Sequence, residues 1–334
     1  MSKSAGNVVA PQDVIKQSGA EILRLWVAAQ DYREDLRISK EILNQLVEVY
    51  RKIRNTCRFM LSNLYDFDPA VQRVPFDQLP ELDRWALLKL YNLVKTVKKS
   101  YEDFDFRQII HELDYFCAVY MSAVYLDILK DRLYTFRADS PLRRGSQTVL
   151  LDILVALAKL MAPVLSFTAD EIWRLLPKFV RKLEETVAAL EGRALRLSSV
   201  HLASFPEPQQ EWADEKLAQR WENLLRMRTT VLTKLEAQRK EKIIGSSLEA
   251  KVIIAGTSGL YEFLKNYESE LPALFICSQV ELRSGVTVTP PDDHEVVVVK
   301  ADGKKCERCW NYRPAVGTFK DHPTLCDRCV EAVH

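Results

Sequence analysis

The stretch Ser39-Lys-Glu-Ile-Leu-Asn-Gln-Leu-Val-Glu-Val-Tyr-Arg-Lys-Ile-Arg-Asn-Thr-Cys-Arg-Phe-Met-Leu-Ser-Asn-Leu64 decides how this chain folds. Within it Ile42, Leu46, Val49, Ile53, Cys57, Met60 and Leu64 are apolar and step by 4, 3, 4, 4, 3 and 4 residues. That spacing keeps returning to one side of an α-helix and lays down a single apolar stripe. Ser39 stands at the start as an N-cap, where a hydroxyl accepts a backbone N–H of the first turn. Arg51, Arg54 and Arg58 fall on the opposite face by the same arithmetic. A helix with one apolar face buries it against other elements, so the rest of the chain is read for partners.

Toward the N-terminus, Pro11–Ala29 reads as helical, with Gly19 a break and Ile22, Leu25, Trp26 and Ala29 at helical spacing. Toward the C-terminus, residues 66–80 carry prolines and form a connection. Leu82–Tyr101 places Leu87, Tyr91, Val94 and Lys98 at helical steps. Phe106–Tyr134 is dense in aromatics, and Tyr115, Phe116, Tyr120 and Tyr125 are expected in the core. Leu142–Met161 is the most apolar helix, and Thr168–Leu176 adds a short one after Pro163. Residues 178–210 are transitional, with Pro206 and Pro208 marking a linker, and Trp212–Lys242 is a long, charge-rich helix. After Gly245 the pattern changes. Ala250–Ala255, Leu274–Leu282 and Glu295–Lys300 read as strands around a helix near Leu260–Leu271. The expected fold is mainly α: an antiparallel helical bundle, a small α/β module and a four-cysteine zinc finger. The boundaries expected are 39–210 for the bundle, 211–300 for the long helix and junction module, and 301–334 for the zinc-binding module.

Composition narrows the function. The 334 residues are 47% hydrophobic, too apolar for a disordered chain, and the net charge of +1 excludes a uniformly basic surface. The apolar run 149–167 contains Asp152, Lys159 and Pro163, and a bilayer span needs about 20 predominantly apolar residues, so no membrane partner is expected. Seven cysteines are present, an odd total that disfavours a disulfide framework. Cys57, Cys117 and Cys277 sit alone in apolar settings and are expected to be packing residues.

The other four form the strongest local signal. Cys306-Glu-Arg-Cys309 and Cys326-Asp-Arg-Cys329 are two Cys-x-x-Cys knuckles separated by 16 residues. Each pair turns two thiolates toward one ion, and two pairs close a tetrahedron suited to Zn2+. Mononuclear iron and replacement of one thiolate by His322 remain open. Four protein ligands leave no position for water, so one structural zinc is expected rather than a catalytic one. Lys304, Lys305, Arg308, Arg313 and Arg328 surround the site, although acidic neighbours nearly cancel them. Trp310 and Tyr312 offer flat faces for an unpaired base, or Trp310 packs on the knuckle. A second basic strip is Arg226, Arg228, Lys234, Arg239, Lys240 and Lys242. Zinc ribbons also occur in DNA-binding modules of repair-type proteins, and this is the alternative reading.

Met1-Ser-Lys-Ser-Ala-Gly-Asn-Val-Val-Ala-Pro-Gln-Asp-Val-Ile15 resembles the KMSKS loop of class I aminoacyl-tRNA synthetases. Gly19-Ala-Glu-Ile-Leu-Arg-Leu-Trp26 is similar to the helix that follows that loop in the isoleucyl, valyl and leucyl group. Tyr50–Thr56 with Arg58-Phe59, Met161-Ala-Pro163, Ser166–Trp173 and Gly245–Lys251 resemble that group's anticodon-binding bundle and the junction after it. The cysteine knuckles resemble the C-terminal zinc finger of bacterial-type isoleucyl-tRNA synthetases. The resemblance covers essentially the whole chain in the family's order. It departs from the family in lacking a His-x-Gly-His motif, a lysine before Met1 and an editing domain.

The resemblance implies a C-terminal part of such an enzyme, with residues 1–38 a remnant of the catalytic domain. It implies Lys3 as the loop cation that meets ATP in the intact enzyme, with Ser2 and Ser4 shaping the loop. It implies tRNA(Ile) and the remainder of the synthetase as partners, a monomer, a cytoplasmic location, and no activity of this portion alone. For tRNA the expected contacts are Arg51, Arg54, Arg58, Trp310 and Arg313.

Overall fold

The computed structural model describes residues 9–178, 180, 182, 185–186, 198–284 and 294–333. Ser2, Lys3 and Ser4 lie outside the described residues. The chain divides into two compact units, one of Met1–Asp127 with Pro141–Asp214, the other of Ile128–Ser140 with Glu215–His334.

The first unit is helical. Pro11 opens α1 (Pro11–Ser18), and Gly19, at a φ of +86°, separates it from α2 (Ala20–Ala29). The left-handed backbone there favours glycine, which carries no Cβ. Next comes α3 (Lys40–Ser62), whose first turn is capped by Ser39 Oγ accepting the Ile42 N–H at 3.3 Å. Leu46, Ile53, Cys57, Met60 and Leu64 of its stripe are buried, while Ile42 and Val49 are half-buried. Then follow α4 (Glu81–Glu102), α5 (Phe106–Tyr115) and a π-helix (Phe116–Tyr125); α6 (Leu126–Thr135) belongs from Ile128 onward to the second unit, and α7 (Pro141–Met161) and α8 (Ser166–Leu175) complete the first. Trp85, Phe116, Tyr125 and Trp173 are the largest side chains fully enclosed. The apolar run 149–167 is largely buried within the bundle, and among the described residues no helix is long and apolar enough to cross a membrane.

The π-helix departs from the plain helix expected there. Leu113, Cys117, Met121 and Tyr125 are all buried and spaced by four. On an α-helix each such step overshoots a turn by about 40°, so the last would point well away from the first. Widening the turn keeps them on one face. The same widening corrects the expectation for the aromatics. Phe116 and Tyr125 are core, but Tyr115 is 42% exposed and Tyr120 is half-buried.

Two side chains of α2 bridge the α7–α8 corner. Glu21 Oε1 accepts the Thr168 N–H at 2.8 Å, in the first turn of α8. Arg24 donates to the carbonyls of Val164 at 2.8 Å and Pro163 at 2.7 Å. The carboxylate thus meets an N–H of the first turn of α8, the sign that a helix N-terminus favours, and the guanidinium ties down two carbonyls of the α7–α8 connection. Glu21→Ala removes the acceptor from a buried N–H. It is expected to cost about 1–2 kcal/mol, read as a lower urea midpoint at unchanged slope.

In the second unit, α9 (Glu215–Lys240) buries Leu217, Trp221, Leu224, Met227, Val231 and Leu235 along one side. A three-stranded sheet of order β2-β1-β3 is built from β1 (Ala250–Gly256), β2 (Gln279–Ser284) and β3 (His294–Lys300). β1 runs parallel to β2 and antiparallel to β3. The crossover between β1 and β2 holds α10 (Ser258–Lys265) and α11 (Leu271–Phe275). Two expectations are corrected here. The single helix near Leu260–Leu271 is two shorter ones, and Leu274 is helical, with the strand starting at Gln279 rather than Leu274. Pro272 fits the first turn of α11, Leu271, Leu274 and Phe275 bury its inner face, and Ile276 ends it in a left-handed conformation (φ +54°).

Candidate metal centre and nucleic-acid interface

The knuckles are placed by β4 (Lys304–Lys305), β5 (Tyr312–Arg313) and α12 (Asp327–Val333). β4 pairs antiparallel with β5, and Cys306 and Cys309 lie in the turn between them. Gly303, at φ +91°, lets the chain pass against Arg313, whose backbone would overlap a Cβ there. Cys326 precedes α12 and Cys329 lies within it. All four cysteines are buried, and their sulfurs lie within 4.8 Å of one another. Thiolates about 2.3 Å from a tetrahedral zinc sit about 3.8 Å apart; the Cys309 and Cys326 sulfurs are separated by 3.7 Å. The donor set therefore fits one structural zinc with a closed shell.

Electrostatics around the sulfurs agree. Burial opposes ionisation of Cys306, yet the backbone N–H groups of Cys309, Cys326 and Arg308 draw its thiol down to about 6. Burial pushes Cys329 up to about 11 and raises Cys326 as well, with neighbouring thiolate charge adding to both. Four sulfurs this close would repel one another as thiolates, and a cation held between them offsets that charge. Apart from the cysteines, the core of this module is Val316 with Leu325 packed against it, too little apolar surface to fold alone.

Two arginines of the knuckles hold the module in place. Arg328 forms a bidentate pair with Asp131, at 2.5 and 2.8 Å, and its guanidinium lies 5.0 Å from the Phe136 ring centroid. Arg308 donates to the Thr135 carbonyl and to Cys329 Sγ, the latter at 3.6 Å. Both sets of contacts lie within the second unit, against the end of α6 and the residue after it. Of the basic ring read from the sequence, Arg308 and Arg328 are therefore engaged internally.

Trp310 is different. It is 60% exposed at a φ of +65°, and Lys305 Nζ lies 5.4 Å from its ring centroid. Its N–H closes the knuckle turn on the Cys306 carbonyl at 2.9 Å, which leaves the ring presented to solvent. Arg313 is half-buried, and its Nε is enclosed without a hydrogen-bond partner among the described residues.

On α3, Arg51 pairs with Glu48, Arg54 lies 3.5 Å from Glu171, and Arg58 is exposed with no ion pair among the described residues. In the second basic strip, Arg228 is buried and donates to the Leu274 carbonyl at 2.9 Å, so it is a packing residue. Arg239 pairs with Glu236 at 2.9 Å, and with Lys240 and Lys242 it borders an open depression near Gly245.

Comparison with known proteins places these features in one lineage. The anticodon-binding domain of tRNA ligases matches residues 83–254, and the zinc finger found in FPG and IleRS matches 303–332. The class I tRNA synthetases (I, L, M and V) match residues 1–39. An isoleucine–tRNA ligase of Geobacter sulfurreducens is 50% identical over 100% of this chain and 35% of its own length. One of Syntrophotalea carbinolica is 50% identical over 99% of this chain and 34% of its own. This chain thus spans about a third of the length of the curated relatives it matches. The chain belongs to the tRNA ligase family that carries this anticodon-binding domain, and along its length it corresponds to a C-terminal region of isoleucine–tRNA ligases.

Proposed function

We propose that this chain is the tRNA-binding part of an isoleucine–tRNA ligase acting on tRNA(Ile) in the cytoplasm. The intact enzyme activates isoleucine with ATP and transfers it to the tRNA. The presence of an anticodon-binding match and a four-cysteine finger in one chain carries the reading. Its partners are tRNA(Ile) and the catalytic and editing remainder of the enzyme, and it acts as a monomer. Zinc has a structural duty only. Lys3 supplies an ammonium to the triphosphate of ATP, where negative charge accumulates during activation, and Ser2 and Ser4 shape its loop. Alone, this portion catalyses nothing, and a pyrophosphate-exchange assay showing isoleucine activation would contradict that.

Recognition uses a few placed groups rather than a basic coat. Arg51, Arg54, Arg58 and Arg313 position phosphates, while Trp310 stacks an unpaired base. Trp310→Ala is expected to weaken tRNA binding by about 1–3 kcal/mol with little change in salt dependence. Arg58→Ala is expected to lower the slope of log affinity against log salt by about 1. Filter binding across a salt series separates the two. The finger's kinship with FPG supports a second reading, a DNA-binding module, and the anticodon-binding match over 83–254 disfavours it.

A further inference from the structure

The π-helix forms one wall of a second surface feature, apart from the knuckles and the α3 arginines. Lys89, Asn92 and Thr96 of α4 face His111, Glu112 and Tyr115 of α5 and Tyr120 of the π-helix across a surface depression of about 240 Å³. The spacing 89, 92, 96 lines one side of α4. On the other wall the widened turn brings Tyr115 and Tyr120 into edge-to-face contact, with centroids 5.1 Å apart. His111 lies parallel to Tyr115, with an interplanar angle of 11° and centroids 6.1 Å apart. Lys89 Nζ sits 4.8 Å above the Tyr120 ring. Burial, with Tyr115 beside it, pushes the Tyr120 phenol up to about 12, which keeps it a neutral donor.

These groups suit one ligand chemistry. His111 and Tyr115 present exposed flat faces. Glu112 accepts from Gln108 at 2.7 Å and retains acceptor capacity for an amino group. Asn92 and Thr96 offer further polar edges, and Lys89, over the Tyr120 and Trp85 rings, adds positive charge to the wall. Stacking faces, edge partners and one cation together are what an extruded nucleotide requires. The whole constellation lies within the stretch that matches an anticodon-binding domain.

We propose that the depression between α4, α5 and the π-helix takes one unpaired nucleobase of a bound RNA, stacked on Tyr115 and His111 and held at its edge by Glu112. This rests on the reading of the chain as a tRNA-binding part, and it assigns that function a specific base pocket. The nucleotide comes from the RNA loop, not from free nucleotide in solution.

The test uses the full zinc-loaded chain and tRNA(Ile) transcripts carrying 2-aminopurine at single anticodon-loop positions. Quenching is expected at one position in the unaltered chain and is expected to be absent in Tyr115→Ala, with affinity about tenfold weaker. Tyr115→Phe keeps the ring and is expected to keep the quench. The salt slope is expected to stay unchanged in both variants, since no phosphate contact is lost. AMP in excess is not expected to reverse the quench. The proposal is overturned if Tyr115→Ala binds and quenches as the unaltered chain does, or if AMP alone fills the pocket. In either case the tRNA reading stands. If the unaltered chain binds no tRNA at all, both fall together.

Discussion

Removing zinc from this chain is expected to unfold the knuckle module and leave the helices of the first unit intact. The four buried cysteines make up most of the module's interior, with Val316 and Leu325 the apolar remainder. Structural zinc sites in small finger modules bind with an apparent free energy of about 10–16 kcal/mol near neutral pH, and in such modules that energy is folding energy. Hydrogen exchange after chelation should show amide protection lost from Cys306 through Val333. The last turn of α6 should fray as well, because Arg328 and Arg308 then release Asp131 and the Thr135 carbonyl. Protection in α3, α4 and α7 should not change. Retained protection around Cys326 and Cys329 in the metal-free chain would show that the sulfurs need no ion.

The second large effect is expected at Asp66. Its carboxylate accepts from Arg143 at 2.7 Å and from Gln147 at 2.8 Å, and its own carbonyl accepts from Arg144 at 2.8 Å. The two arginine side chains are only 6% and 10% exposed. Asp66→Ala removes the carboxylate that both enclosed guanidinium groups meet and is expected to cost about 3–5 kcal/mol. A denaturant melt reads it directly, and a loss below about 1 kcal/mol would mean that water reaches the site.

The same residue sets an acid limit. Burial alone would raise its pKa, but the hydrogen bonds from Gln147 and Arg143 and the charge of both arginines win and hold it below the usual carboxylate range. The folded value is thus depressed. Its contribution is complete above the unfolded value near about 3.9 and is lost as pH falls through the lower folded value. Asp66→Asn should flatten that part of the pH–stability curve.

Much of the fold is legible from periodicity and spacing, and the exceptions have physical causes. The stripe from Ile42 to Leu64 and the N-cap at Ser39 read directly, because a one-sided helix obeys a single period. The zinc ligands read directly too, since two Cys-x-x-Cys pairs have few other uses. The π-helix does not, although the fourfold steps Leu113, Cys117, Met121 and Tyr125 are its trace. Taking them as ordinary helix hides the exposed faces of Tyr115 and Tyr120. Arg228, Arg308 and Arg328 read as surface cations, because their acceptors, the Leu274 and Thr135 carbonyls and Asp131, come from distant parts of the chain. Glu21 and Arg24 hide for the same reason, lying about 140 residues from the groups they meet.

On the proposed function, this chain binds tRNA through placed groups on a zinc-bearing anticodon-binding fold. Equilibrium titration of a labelled tRNA(Ile) transcript with the zinc-loaded chain, in competition with duplex DNA of equal phosphate number, tests it most directly. The predicted result is saturable binding that unlabelled tRNA displaces and duplex DNA does not. Displacement by duplex DNA as effective as that by tRNA, or no binding to the transcript at all, would contradict it.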